Sequence, residues 1–171
     1  GAGTGRYTHL LVEQLDGRCL PSANPAITIG DAYVTEGNSG QTAIVFHVTL
    51  SKASSRQVSV DFATADGSAR VGEDYAGQPG GKDYIGQAGR LTFAPGETTK
   101  TITVLVTGDR VGEPNESFSV NLSQPSNANI ADGQGMGTIV DDEPRLSISD
   151  VTKKEGNAGK TLFSFTVSLS V

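Results

Sequence analysis

Four short segments of this sequence carry acidic side chains where an alternating apolar run ends or the next begins. Asp141, Asp142 and Glu143 are adjacent and directly follow the apolar stretch 136–140. The other acids are Glu36, Asp109, Glu113 and Glu116, together with Asp74 or Asp83 from two copies of one short segment. Carboxylates held close together repel one another unless a positive charge lies among them. Whether these acids form one site depends on the elements that position them.

Alternation of apolar and polar residues is the main pattern along the chain. Seven segments show it, and Gly, Pro, Asn and Asp turns separate them: AITIGDAYVTEG, TAIVFHVTLS, QVSVDFAT, RLTFAPGE, TKTITVLVTG, ESFSVNLS and MGTIV. This pattern predicts an all-β antiparallel sandwich of about seven strands, with one buried face per sheet. We expect no helix longer than about two turns.

The acidic segments should meet at one end of such a sandwich. In a Greek-key arrangement of about seven strands, alternate loops fall at the same end. The loops that carry Glu36, the duplicated segment and residues 109–116 then share that end with residues 141–143. Ca²⁺ takes about six to eight oxygen ligands and tolerates both loop carboxylates and backbone carbonyls. The grouping therefore predicts a calcium site, and the alternative is a set of solvated surface acids.

Composition and residue types argue against several other classes of function. The formal net charge of −6 makes nucleic acid an unsuitable partner. His9 and His47 belong to separate segments without a Cys–His cluster, so we do not expect zinc. Cys19 is the only cysteine, which excludes a disulfide within this sequence. No nucleophile–base pair is recognisable, and we therefore do not expect an enzyme.

Two internal repeats define the expected domain organisation. Residues 145–170 align with residues 26–51 at a constant offset of 119, which indicates a tandem array. Residues 72–80 and 81–89 are a second, short duplication. We expect residues 1–24 to be an arm or the tail of a preceding module, 25–144 a complete sandwich, and 145–171 the truncated start of a second one. Since two strands cannot bury a core, 145–171 should be a mobile hairpin or dock on an edge of the first sandwich.

Several segments within residues 26–143 together resemble the Calx-beta domain family. They are EGNSG, VDFATADGSARVGEDY, GRLTFAPGETTKTITVLV, NESFSVNLS and GTIVDDE. The family occurs in sodium–calcium exchangers, an integrin β subunit and large bacterial surface proteins. The resemblance implies an immunoglobulin-like sandwich that binds Ca²⁺ at one end. Carried over by position, the ligands would be Glu36, Asp109, the backbone carbonyl of Val111, Glu113, Glu116, Asp141, Asp142 and Glu143.

The resemblance leaves one ligand ambiguous and shows two departures from the family pattern. Asp74 has the family spacing to the segment before it, whereas Asp83 has the family spacing to the segment after it. Arg110 stands where the family has an acidic run, and Pro114 stands where an acid is common. These departures imply that fewer calcium ions bind or that calcium binds more weakly. Alternatively, Arg110 neutralises some of the carboxylates without any metal.

The sequence therefore supports one main functional hypothesis and two alternatives. The main hypothesis is a calcium-binding structural or adhesive repeat of a larger secreted or cell-surface protein. Its partners would be calcium ions, neighbouring repeats of the same chain, and a protein or carbohydrate ligand. The first alternative is a regulatory calcium-sensing domain attached to a membrane transporter or receptor. The second is a metal-free spacer domain that binds another protein.

Overall fold

A computed structural model describes residues 24–72 and 82–170, and all regular structure within these ranges is β. The strands are β1 (Ala26–Ile29), β2 (Ala32–Thr35), β3 (Gly40–Leu50), β4 (Val58–Asp66), β5 (Ala88–Phe93), β6 (Thr99–Gly108), β7 (Glu116–Ser126), β8 (Asn129–Ile130), β9 (Gln134–Val140), β10 (Leu146–Ile148) and β11 (Val167–Leu169). No helix in the described part of the chain has the length and apolar character needed to cross a membrane.

Nine of these strands form two sheets. One sheet has four strands in the order β6-β3-β1-β8, and the other has five in the order β2-β9-β7-β4-β5. The predicted all-β sandwich is confirmed. Most neighbours are antiparallel, as expected, but β1 pairs with β8 and β2 pairs with β9 in parallel.

The parallel pairs arise because the first predicted strand pair, which is kinked at Gly30, is divided between the two sheets. The chain crosses from one sheet to the other at Gly30 and Asp31. The Gly30 amide donates to the His47 carbonyl (3.1 Å), and the Asp31 carboxylate accepts the Met136 amide (2.7 Å). These two bonds hold β1 against β3 while β2 continues alongside β9.

The core lies between the two sheets and follows the alternation of the sequence. Inward-facing side chains of β3, β6 and β7 are almost completely buried, for example those of Phe46, Val104 and Val120. The Phe118 ring meets Phe46 edge to face at 5.9 Å and stacks against Tyr84 at 4.2 Å. Such aromatic contacts add to the stabilisation from buried area.

The strand ends at one end of the sandwich bring distant loops together. β2 and β9 finish side by side, with Thr35 opposite Val140. The turn that follows β2 crosses directly over the end of β6. A Cβ atom on Gly108 would lie 2.1 Å from the Gly37 carbonyl oxygen and 2.7 Å from that of Glu36. Glycine at position 108 is therefore required for this close approach, which places Glu36 beside the loop that leaves β6.

The second repeat contributes an exposed pair of strands, β10 and β11. The paired residues are Leu146 with Leu169, Ser147 with Ser168, and Ile148 with Val167. Each pair is a β1–β3 pair displaced by 119 residues, since Ile27 lies opposite Leu50 and Ile29 opposite Val48. Among the described residues, β10 and β11 pair only with each other.

Candidate metal centre

Three carboxylates from two segments meet at the end of β2 and β9. One oxygen from each of Glu36, Asp141 and Glu143 lies within 4.8 Å of the others. Glu36 and Glu143 are buried residues, at 7% and 9% exposure. The amide of Glu36 also donates to the Val140 carbonyl (3.2 Å), so the two segments are joined through their backbones. We refer to these three residues as the inner group.

A second set of three carboxylates lies among the same loops. Asp83, Glu113 and Glu116 also bring one oxygen each within 4.8 Å of the others, and we call them the outer group. Asp83 is pinned by the backbone of β6, where its carbonyl accepts the Thr107 amide (2.8 Å). Its carboxylate accepts the Arg70 amide at 2.7 Å. Of the two duplicated acids, Asp83 is therefore placed in a carboxylate group, and Asp74 lies outside the described residues.

Glu143 has the least compensated carboxylate of the inner group. Both of its carboxylate oxygens are buried, and neither has a hydrogen-bond partner within the described ranges. A buried charge without a partner is costly, and such groups are normally paired or coordinate a metal. The chemistry of this group therefore fits a cation.

Electrostatic crowding is greatest at Glu36. Burial, together with the negative charges of the nearby acids, raises the pKa of Glu36 to about 7; these acids are Asp109, Glu143, Asp141 and Glu113. Burial likewise raises the pKa of Glu143, with Asp142, Asp141 and Asp109 adding to the effect. Both shifts have the sign expected for like charges gathered in a partly desolvated place.

Asp141 is the inner-group residue with the most hydrogen bonds in the described structure. One of its oxygens accepts the Glu113 amide (2.8 Å). The other accepts both Nη2 (3.0 Å) and Nε (3.3 Å) of Arg145. The backbone amide of Asp141 donates to the side-chain oxygen of Asn115 at 3.3 Å.

The cation next to the inner group is thus Arg145 and not Arg110. Arg110 is exposed, and no ion pair joins it to any residue of the described ranges. Arg110 lies within an acidic loop and is therefore the cation that the sequence indicates, whereas Arg145 follows the last strand of the domain. The only signal in the sequence was an arginine four residues after Asp141.

Three other candidate ligands lie nearby with different contacts. Asp142 turns toward the β2–β3 turn, where it accepts the Gly37 amide (3.0 Å) and the Asn38 side chain (3.2 Å). Asp109 accepts the amide of Val111 (2.6 Å) and so closes its own turn. Within the described ranges, neither Asp109 nor Asp142 belongs to the inner or outer group. Val111 is half-buried beside them.

An open cleft adjoins the acids on the side of the second repeat. Its volume is about 430 Å³. The lining residues are Asn115, Asp141, Asp142, Glu143, Arg145 and Ser170. The arrangement offers hard oxygen ligands, which Ca²⁺ prefers, with access from solvent.

Comparisons with known proteins agree with this architecture. A family model, Calx-beta domain, matches residues 30–143. The chain is 35% identical over 89 residues to mouse (Mus musculus) extracellular matrix organizing protein FRAS1 and 39% identical over 93 residues to extracellular matrix protein 3 of Lytechinus variegatus. These matches cover 50% and 54% of this chain but only 2% and 3% of those proteins.

A sodium/calcium exchanger and solved Calx domains are also similar to this chain. Rat (Rattus norvegicus) sodium/calcium exchanger 2 is 39% identical over 77 residues, which are 45% of this chain and 7% of the exchanger. The solved calcium binding domain CBD12 of CALX1.1 superposes with a TM-score of 0.57 and 25% identity, covering 77% of this chain and 53% of that one. The solved apo-form Calx CBD1 domain superposes with a TM-score of 0.54 and 24% identity, covering 70% of this chain and 99% of that one.

Proposed function

The chain belongs to the Calx-beta domain family, and on that premise we propose that residues 25–144 bind Ca²⁺ at the end of the sandwich formed by β2, β6 and β9. The inner group would hold one ion, with Glu36, Asp141 and Glu143 as ligands. The outer group would hold a second, with Asp83, Glu113 and Glu116. Asp109, Asp142 and the Val111 carbonyl would complete the ligand sets, as would Asp74 if it approaches the outer group.

The observation that carries this proposal is the buried, unpartnered carboxylate of Glu143. A solvated surface acid would keep its oxygens in water, and a structural acid would accept hydrogen bonds from the protein. Within the described ranges, both Glu143 oxygens are buried and do neither. They lie beside Glu36, whose pKa is raised by burial and by the charges of the neighbouring acids. A divalent cation would compensate these charges together.

We propose further that the domain serves as a structural or adhesive module of a larger extracellular or cell-surface protein. Two of the similar proteins carry extracellular matrix in their names. The repeat at an offset of 119 residues supports a tandem arrangement, with residues 145–171 as the start of the next module and 1–24 as a preceding segment. Calcium and neighbouring repeats would be its partners, with a protein or carbohydrate ligand. Its role would be binding and not catalysis.

The exchanger similarity favours a second candidate function. A regulatory calcium-sensing domain attached to a transporter or receptor would use the same carboxylates. The two functions differ in affinity: extracellular modules bind calcium with Kd of roughly 10⁻⁴–10⁻³ M, whereas sensors bind at roughly 10⁻⁷–10⁻⁵ M.

The test is a calorimetric calcium titration of the full 171-residue chain, with magnesium as the comparison ion. We expect binding in the millimolar to submillimolar range for a structural module. The E36Q/E143Q variant should lose the binding step assigned to the inner group and keep the step assigned to the outer group. The control D132N removes one exposed charge whose carboxylate accepts a local amide, that of Gln134, and it should bind calcium as the unmodified chain does. Absence of binding heat, together with equal melting temperatures in calcium and chelator, would leave the metal-free spacer as the function.

A further inference from the structure

The carboxylate of Asp141 takes part in two arrangements that compete for it. It belongs to the inner group with Glu36 and Glu143. The same carboxylate forms an ion pair with Arg145, at 3.0 Å from Nη2. The Asp141 side chain is only 8% exposed, while that of Arg145 is 41% exposed. The guanidinium thus reaches from solvent onto a buried acid.

Arg145 is held in place by its backbone and by its aliphatic stem. Its amide donates to the Ser170 hydroxyl (2.8 Å), and its carbonyl accepts the Ser170 amide (2.9 Å). The stem lies against Gly112, where a Cβ atom would come within 3.3 Å of Cγ of Arg145. These contacts direct the Arg145 side chain at Asp141.

We propose that Arg145 is a tethered cation that competes with Ca²⁺ for Asp141 and thereby lowers the calcium affinity of the inner group. This inference rests on the proposed function and adds the residue that tunes it. Arg145 is a positioning residue in this sense, since it acts on the metal through Asp141 and would not contact the metal itself.

The competition is incomplete because the guanidinium serves only one of the three acids. Its described bonds within the site all go to one oxygen of Asp141. Glu143 keeps two buried oxygens without a partner in the described ranges. A divalent ion would bring twice the charge and could contact all three carboxylates at once. Arg145 should therefore weaken calcium binding without preventing it.

The test is calcium titration of the R145Q chain by calorimetry. We expect one binding step to tighten roughly three- to tenfold, somewhat more than a fully exposed ion pair would give, because Asp141 is buried. The step assigned to the outer group should be unchanged. The matched control is R90Q, which breaks another Arg–Asp pair (Arg90 Nε to Asp61, 2.5 Å) with the same change in net charge. R90Q should bind calcium as the unmodified chain does.

Melting curves give a readout that a purely structural role would not produce. If Arg145 stabilises only the metal-free form, R145Q should melt lower in chelator and show a larger rise on adding calcium. A purely structural arginine would lower both melting temperatures equally. R145K keeps the positive charge but replaces the planar guanidinium with a compact ammonium group. Its calcium affinity should lie between that of the unmodified chain and that of R145Q.

The outcomes separate this inference from the proposed function. Equal calcium affinities for the unmodified, R145Q and R145K chains would overturn the competition while leaving calcium binding intact. An equal gain in R90Q would also overturn it, because the effect would then be one of net charge alone. If neither the unmodified chain nor R145Q binds calcium, the proposed function fails and the inference fails with it.

Discussion

Glu36 is held between the end of β2 and the last acids of the domain, and its properties follow from that placement. Its backbone is bonded to β9, and its carboxylate faces four other acids. The close crossing of the β2–β3 turn over Gly108 fixes the backbone of Glu36 at this place. The negative charges of the neighbouring acids therefore favour the binding of a proton or a cation by this carboxyl group.

The stability of the metal-free chain should fall as the pH rises toward neutral. The pKa of Glu36 is raised from 4.5 to about 7 in the fold, so the folded chain binds a proton more tightly than the unfolded one. This contribution to the free energy of unfolding is full below pH 4.5 and is lost as the pH rises through 7. Urea unfolding in chelator between these limits should show the decline, and E36Q should flatten it. An identical slope in E36Q would contradict the assignment.

Replacing Glu143 by glutamine should have opposite effects with and without calcium. In chelator, E143Q removes a buried, unpartnered charge, and the melting temperature should rise. In calcium, the variant lacks a ligand, and most of the ion's stabilisation should disappear. D141A provides the contrast, since it removes the partner of Arg145 and of the Glu113 amide and should melt lower in chelator. A lower melting temperature for E143Q in chelator would refute the argument.

The grouping of acids at one end of the sandwich could be predicted from the sequence, but their individual contacts could not. Residue type and the ends of alternating runs placed Glu36, Asp141 and Glu143 at one end of the sandwich. The side-chain direction of Asp142, toward the β2–β3 turn, depends on the amide of Gly37. The contact of Arg145 depends on the path of the chain after the last strand. Neither is encoded in spacing alone.

The alternation of apolar and polar residues predicted the strands but did not predict which sheet each strand joins. The segment 26–37 predicts a strand pair with a kink at Gly30, and the structure divides it into β1 in one sheet and β2 in the other. The crossing depends on bonds from Gly30 and Asp31 to other strands, which no local pattern reveals. The two-residue strand β8 is also too short to leave a periodic signal.

Gly108→Ala should disturb both the fold and the metal site, because the added methyl group would overlap two backbone carbonyls of the β2–β3 turn. We expect a loss of about 1–3 kcal/mol in the free energy of unfolding, together with weaker calcium binding as Glu36 is displaced. Denaturant unfolding and calorimetry measure the two effects. Gly30→Ala is the matched control, since nothing lies within 4 Å of its Cβ position. Normal stability and calcium affinity in Gly108→Ala would exclude the proposed role of this crossing.

At the scale of the whole molecule, the two repeats share a strand register but differ in burial. In the first repeat, the inward-facing apolar residues of β1 and β3 are at most 6% exposed: Ile27, Ile29, Ile44, Phe46, Val48 and Leu50. Their counterparts at the 119-residue offset are at least 43% exposed: Leu146, Ile148, Phe163, Phe165, Val167 and Leu169. The second set has the pattern of a core face, and strands equivalent to β4–β9 would cover it.

Amide exchange at residues 146–148 and 167–169 should be much faster than at Val104 and Val120, because no sheet within the described ranges covers the hairpin. A chimera tests whether added strands equivalent to β4–β9 would protect the hairpin. Appending a copy of residues 53–143 after Val171 continues the alignment of the repeat and supplies those strands. Exchange in the hairpin should then slow toward that of β1 and β3. Core-like protection before the addition, or no change after it, would contradict the prediction that 145–171 is an incomplete sandwich.

The parallel pairing of β2 with β9 has a mechanical consequence. β2 lies near the point where the chain enters the sandwich, and β9 is the strand by which it leaves. Tension applied through the flanking segments would pull these neighbours past each other along their length, from Ala32 opposite Gly137 to Thr35 opposite Val140. Bonds loaded in shear share the force and must rupture together, whereas an antiparallel pair pulled from one end opens bond by bond. A cation bound to Glu36 and Asp141 would bridge the same two strand ends. We therefore expect single-molecule stretching to show a higher rupture force in calcium than in chelator.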